Sequence, residues 1–166
     1  MMTLILQAMQ EFVDEPSRCA AIEQACNDCE AELRARPGLE MTYRVVSSEL
    51  KQNGEMAALR SLWVFAFSPN GESDIHRHSN STQYTRAWRG KGRMRVGDPE
   101  HLVEIPLPSE LDASATERQW TVIPTGIFHQ AVADANGWLV VSFQTASGAE
   151  LQDEPYEGEA RYYISE

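Results

Sequence analysis

The sequence lacks any run of apolar residues long enough to cross a membrane, which would require about 18 in succession. Its first residues, MMTLILQAMQEFVDE, also lack the basic segment and the small-residue cleavage site of a secretory signal. We therefore expect no membrane partner and a cytoplasmic location.

Basic residues are scarce as well. The chain has 14 lysines and arginines against 25 aspartates and glutamates, which gives a formal net charge of −11 at pH 7. A surface of this sign repels phosphate backbones, so nucleic acid is not expected as a partner. The 42% of hydrophobic residues nevertheless indicates a folded globular chain of one domain.

Cysteine is rare, and all three cysteines fall in one predicted helix. That helix begins at Pro16, which suits a first helical turn, and it ends before Pro37 and Gly38. Its apolar residues keep a spacing of three and four along one face: Cys19, Ile22, Cys26, Cys29 and Leu33. A metal or redox role for Cys26 and Cys29 would need further ligands nearby, which the sequence does not supply, so we interpret the three thiols as packing groups.

The pattern changes to a period of two after residue 38, which is typical of strands. Predicted strands cover residues 41–46, 59–67, 83–89, 93–96, 120–123, 129–133 and 138–145, with a hairpin turn at 90–92. Many short strands indicate a β-sandwich or barrel. We expect a helical extension over 1–38, a barrel over 39–149 and an acidic tail over 150–166 that is either an edge strand or partly disordered.

Histidine is limited to four residues, and three of them fall into one pattern. His76 and His78 lie two apart, so in a strand both side chains point to the same face. A turn then returns the chain so that Gln83 lies near both, and His129 can join them from a distant strand. Three imidazoles and one oxygen ligand suit a divalent ion of iron, zinc, nickel, manganese or copper. His101 has no matching partner and is expected to be exposed.

These segments resemble the two motifs of the cupin family over about residues 60–147. The matching residues are Gly71, His76, His78, Gln83 and Gly90 in the first motif and Pro124, Gly126 and His129 in the second. The resemblance implies a mainly β fold, a single cupin (double-stranded β-helix, or jelly-roll) barrel with an N-terminal α-helical extension. It also implies one divalent metal ion held by His76, His78, Gln83 and His129.

The main departure from the family pattern is Gln83, which replaces the usual glutamate. A neutral amide leaves the bound ion a full charge more positive, which raises its Lewis acidity and favours an anionic, chelating substrate. A glutamine in this position is similar to cupins that tautomerise unsaturated uronates or cyclise polyketides. Three-histidine cupins such as β-diketone and thiol dioxygenases use iron and oxygen instead.

Three functions follow from the resemblance. The favoured one is a mononuclear metal-dependent enzyme that isomerises, cyclises or eliminates a small oxygen-rich substrate through a metal-chelated enolate, without redox chemistry. The first alternative is an Fe(II)-dependent dioxygenase that cleaves a small substrate with O₂. The second alternative is a non-catalytic cupin that binds a small ligand. No general acid or base is assigned.

Alternation along two strands gives candidates for substrate contacts. Thr85 and Ala87 share the predicted inward face of Gln83, and Ser142 and Gln144 share one face of the last barrel strand. Small inward side chains would leave room for a ligand.

A homodimer is also expected. The aromatic strand at residues 62–67 would promote aggregation if it lay exposed at the edge of a sheet, and a second subunit would cover it.

Overall fold

The computed structural model describes residues 2–105 and 119–162. The described elements are helices α1 (Met2–Asp14) and α2 (Pro16–Ala35), a 3-10 turn (Gly54–Met56), and strands β1 (Met41–Ser47), β2 (Ser61–Phe67), β3 (His76–His78), β4 (Gln83–Asp98), β5 (His101–Ile105), β6 (Thr121–Ile123), β7 (Phe128–Gln144), β8 (Gln152–Pro155) and β9 (Arg161–Tyr162). The mainly β fold with an N-terminal helical extension is confirmed. None of the described helices has the length and apolar character that crossing a bilayer requires.

Helix α2 begins where the sequence predicts, because Glu15 caps it. The Glu15 carboxylate accepts the backbone N–H groups of Ser17 and Arg18, at 3.2 and 3.1 Å. This satisfies two donors that have no partner within the helix and places a negative charge at the positive end of its dipole. Pro16 then occupies the first helical position.

The cysteines of α2 lie as the sequence predicts. Cys26 and Cys29 are fully buried in the core between the helices and the sheet, and Cys19 is half-buried. Burial raises the pKa of the Cys26 thiol to about 12 and that of Cys29 to about 11. Both are therefore neutral packing groups at pH 7.

Two long strands organise the barrel. Strands β4 and β7 have 16 and 17 residues and pair in antiparallel fashion along most of their length. The first half of β4 and the second half of β7 lie in one layer with β1, β2 and β6. Their other halves lie with β3, β5 and β8, so both strands pass from one layer to the other and the sheet curls into a barrel.

The predicted hairpin at residues 90–92 is wrong, because β4 continues through it. Gly90 pairs with Trp138, Gly92 pairs with Ala133, and the register shifts between them. Gly90 and Gly137 both have positive φ, at 75° and 81°, and a side chain on Gly90 would overlap the Gly137 carbonyl. These glycines therefore bend β4 and β7 at the same place, where the sequence predicts the end of one strand and the start of the next.

Strand β2 separates two cores. Leu62, Val64 and Ala66 face the helices, whereas Trp63, Phe65 and Phe67 face the barrel interior. Every residue of β2 is buried, and the strand lies between β1 and β7. The premise that this aromatic strand is an exposed edge is therefore wrong, and the homodimer stays a prediction without that support.

The segment predicted as an acidic tail contributes a strand to the sheet. Strand β8 pairs with β3, with His76 opposite Pro155 and His78 opposite Asp153. Of the two alternatives left open by the sequence, the strand is the one found at residues 152–155. The barrel sheet therefore extends past residue 149, next to the histidines.

Candidate metal centre

Three buried histidines meet inside the barrel. Strand β3 presents His76 and His78 on one face, and β7 places His129 directly opposite His76. The ring centroids of His76 and His129 lie 4.2 Å apart, and those of His78 lie 5.1 and 5.2 Å from the other two. One nitrogen from each ring lies within 4.8 Å of the others. At this spacing the three nitrogens can bind a single metal ion.

The backbone orients all three rings. Each Nδ1 lies near a carbonyl oxygen: that of Asp74 for His76 (2.8 Å), Gln152 for His78 (3.3 Å) and Ile127 for His129 (3.0 Å). A carbonyl accepts but does not donate, so we assign the proton to Nδ1 in each ring. The Nε2 electron pairs then face the interior, as in histidines that bind metals.

His78 and His129 are neutral at pH 7. Burial, with a smaller contribution from His76, lowers the pKa of His78 to about 4. Burial and the other two imidazoles hold the pKa of His129 well below its usual range. The Nε2 of His129 is buried and has no hydrogen-bond partner within residues 2–105 and 119–162, an arrangement that a cation would satisfy. These residues therefore fit a metal ion.

Gln83 completes the group of predicted ligands. Its Oε1 lies 3.1 Å from the Nε2 of His78, while its amide nitrogen donates to Ser142 Oγ at 3.3 Å. Ser142 Oγ in turn lies 2.7 Å from Thr85 Oγ1. This chain of hydrogen bonds turns the amide oxygen towards the histidines, so the structure brings together all four predicted ligands.

The four residues predicted to contact substrate lie outside the cavity that contains the histidines. Thr85, Ser142 and Gln144 are buried, but they belong to the hydrogen-bonded layer that supports Gln83, in which Ser81 donates to Gln144 at 2.8 Å. Ala87 is exposed and does not line the cavity, although its cross-strand partner Val140 does. The register of β4 shifts directly after this position, between Ala87 and Arg89. Among the described residues, none of these four lines the cavity at the histidines.

The cavity at the histidines is small and mostly apolar. Its volume of about 30 Å³ suits an ion with one or two water molecules. Its walls comprise the histidines, Gln83 and Ser73, together with Met41, Phe65, Phe67, Met94, Ala131 and Val140. Within the described part of the chain, no lysine, arginine or carboxylate lines it. The motifs do not predict these apolar walls, although alternation along β2 places Phe65 and Phe67 on one face.

This set of ligands can bind a cation without neutralising the positive charge of the ion. The centre is surrounded by three imidazoles and one amide, and this set includes no carboxylate to neutralise a divalent ion. Apolar walls exclude bulk water and lower the local dielectric, which strengthens electrostatic interactions with a ligand of the ion.

Comparison with known proteins gives structural likeness only. No family model and no curated protein sequence matches the chain. The 11S globulin of Wrightia tinctoria, which has an auxin binding site, is 17% identical with a TM-score of 0.53, over 86% of this chain and 31% of that one. The vicilin of Solanum lycopersicum (tomato) is 15% identical with a TM-score of 0.52, over 74% and 32%.

The vicilin of Solanum melongena has different anionic ligands in structurally similar pockets. It is 15% identical with a TM-score of 0.51, over 74% of this chain and 32% of that one. The chain thus spans about a third of the length of these structures. At such identities the likeness is one of fold alone.

Proposed function

We propose that this chain, which has the cupin fold of those structures, is a mononuclear metal-dependent enzyme acting on a small oxygen-rich molecule. The likeness to those solved structures confirms the cupin fold implied by the two sequence motifs. The observation that carries the functional proposal is the convergence of three buried imidazoles, with the Nε2 of His129 left without a hydrogen-bond partner among the described residues.

The favoured reaction is a non-redox isomerisation, cyclisation or elimination. His76, His78, Gln83 and His129 would hold the ion, which when bound supplies Lewis acidity that lowers the pKa of a neighbouring C–H or O–H group. The chain itself contributes a fixed donor set, since three backbone carbonyls and Ser142 lock the ligand side chains before substrate arrives. Such preorganisation reduces the reorganisation needed during the reaction.

The cavity walls favour one type of substrate. Phe65, Phe67, Met94 and Val140 offer apolar contacts, and the oxygen-binding groups are confined to the histidine end. We therefore favour a small molecule with two adjacent oxygen donors on an otherwise apolar body. A polyhydroxylated sugar acid would find few hydrogen-bonding partners among the described wall residues.

An Fe(II)-dependent dioxygenase is the alternative supported by the same site. A three-histidine set with open positions and dry apolar walls also suits iron and oxygen. The identity of the bound metal separates this alternative from the non-redox reaction.

A non-catalytic ligand-binding protein is the second alternative. The ligands of the Wrightia tinctoria globulin and the Solanum melongena vicilin support it, although these proteins share only the fold with this chain. The homodimer also remains a proposal, and light scattering at high protein concentration tests it; a monomer would refute it.

The deciding experiment is metal analysis of purified protein by mass spectrometry. We expect about one divalent ion per chain in the wild type, loss of the ion in His76→Ala and His129→Ala, and no loss in His101→Ala, whose histidine lies on the exposed strand β5. Iron would direct activity assays to oxygen consumption, and zinc, nickel or manganese to isomerisation and cyclisation. Wild-type protein that binds no metal even after reconstitution would refute the proposal.

A further inference from the structure

A carboxylate outside both histidine motifs lies beside the metal centre. Asp153 on β8 is the direct cross-strand partner of His78 on β3. Directly opposed residues of an antiparallel pair share one face of the sheet, with Cβ atoms about 4.5–5.5 Å apart. Because the His78 side chain points into the barrel, Asp153 lies on the interior face as well.

The burial of Asp153 sets it apart from the other acids. Its side chain is 1% exposed, and among the described aspartates and glutamates it is the single one that is buried. Its neighbour Glu154 points to the opposite face, where it pairs with Arg77 at 2.8 Å. A buried carboxylate is unfavourable unless a positive charge compensates it, so its position beside a cation site has a physical explanation.

The donor set lacks the charge that Asp153 could provide. Imidazoles bind metals as neutral ligands, and Gln83 contributes an amide oxygen where a carboxylate is usual for the fold. The Asp153 carboxylate is not part of the set of donor atoms that lie within 4.8 Å of one another. Asp153 therefore lies next to His78 in the sheet and is not one of the converging ligands.

We propose that Asp153 is the counter-charge of the metal centre, a positioning residue that strengthens cation binding and replaces the negative charge that Gln83 does not supply. The inference rests on the proposed function only in requiring that a cation binds. It also gives the acidic C-terminal segment a role, since β8 carries both Asp153 and the Gln152 carbonyl that orients His78.

The test is the zinc affinity of metal-free full-length protein, measured by competition with a chromophoric chelator. Asp153→Asn removes the charge with little change of shape, and we expect zinc binding to weaken by about tenfold or more, as is common for outer-shell partners of metal ligands. Glu154→Gln is the matched control, the same exchange on the adjacent, outward position. We expect it to change affinity by less than about twofold. Thermal melting of the metal-free variants checks that each is folded.

A rescue experiment separates charge from packing. Gln83→Glu introduced into Asp153→Asn should restore affinity to near the wild-type value, because the carboxylate is returned at a different position. If Asp153→Asn does not fold, Asp153→Ser tests the same loss of charge with a smaller side chain.

The outcomes distinguish this inference from the proposed function. Wild-type protein that binds zinc with the same affinity as a folded Asp153 variant would overturn the counter-charge role and leave the metal centre intact. Failure of Gln83→Glu to rescue would also overturn it, since any loss would then come from packing. Wild-type protein that binds none of zinc, manganese or iron would refute the proposed function and the inference with it.

Discussion

His78 and Gln83 direct electron pairs towards each other. The Nε2 of His78 lies 3.1 Å from the Gln83 Oε1, while the Gln152 carbonyl oxygen lies next to Nδ1 on the other side of the ring. With the proton on Nδ1, two acceptors face each other in a buried site, and this arrangement is unfavourable unless a cation lies nearby. A bound cation would therefore explain why these two polar side chains are buried together inside the barrel.

Ser142→Ala should weaken metal binding without removing a ligand. The substitution deletes the acceptor for the Gln83 amide nitrogen, so the amide loses the contact that turns its oxygen inwards. We expect an affinity loss of about tenfold, in the range for partners of metal ligands. Chelator competition measures it, with Ser47→Ala on β1 as the control. Unchanged affinity in a folded Ser142→Ala variant would show that Gln83 needs no such support.

Metal-free protein should lose stability as the pH falls from about 6.5 towards 4. His78 has a lower pKa in the folded chain than in the unfolded chain, so between these values the unfolded chain binds more protons and stability rises with pH. The shift from 6.5 to about 4 corresponds to about 3 kcal/mol for His78 alone. His129 acts in the same direction.

Urea unfolding of metal-free wild type and His78→Gln across this pH range isolates the effect of His78. The variant should show a shallower decline, because it lacks one buried group that must remain uncharged, whereas His101→Gln should follow the wild type. Parallel curves for wild type and His78→Gln would contradict the assignment of a buried neutral imidazole.

Gly92→Ala should destabilise the barrel by about 1–3 kcal/mol, as overpacking of a core usually does. A Cβ at this position would overlap the ring of Trp138, which is 3% exposed and held by the bend of β7. The free energy of unfolding in urea gives the measurement. Ala87→Ser on the exposed part of the same strand should change it by less than about 0.5 kcal/mol. Equal stability of Gly92→Ala and wild type would mean that the indole can move aside.

The folded chain should expose at most one thiol to a reagent. Cys26 and Cys29 are fully buried with raised pKa values, and Cys19 is half-buried. We expect one cysteine per chain to react with an aromatic disulfide reagent in buffer and all three to react in guanidinium. Cys19→Ser should abolish the fast reaction. Rapid labelling of Cys26 or Cys29 in native buffer would instead indicate that α2 separates readily from the sheet.

The sequence predicts the parts of the site that depend on local geometry. His76 and His78 share a face because strand side chains alternate. The start of α2 follows from Pro16, and the stripe through Cys26 follows from helical spacing. Each of these predictions needs only a few neighbouring residues, whereas the prediction that His129 joins the other two histidines relies on the second motif.

The features that could not be predicted from the sequence depend on the register between distant strands. Asp153 reaches the centre because β8 pairs with β3 in one register, and a slip of one residue would turn its side chain outwards. Gly90 was interpreted as a turn because glycine permits a turn and a bend equally, and the choice depends on Gly137 across the sheet. Ala87 lies opposite the cavity residue Val140 yet is exposed, and alternation along one strand does not predict that exposure.

The pairing of β2 with β7 has a consequence for the order of events in folding. Leu62 lies opposite Phe143, so the pairing closes the segment between these residues, which is most of the barrel, into one loop. Contacts between residues so far apart in sequence form slowly. His76 and His129 become neighbours only when β3 and β7 have also met. If the centre binds a metal ion, capture would therefore come late, on a nearly native barrel. The ion would then slow unfolding more than it speeds folding.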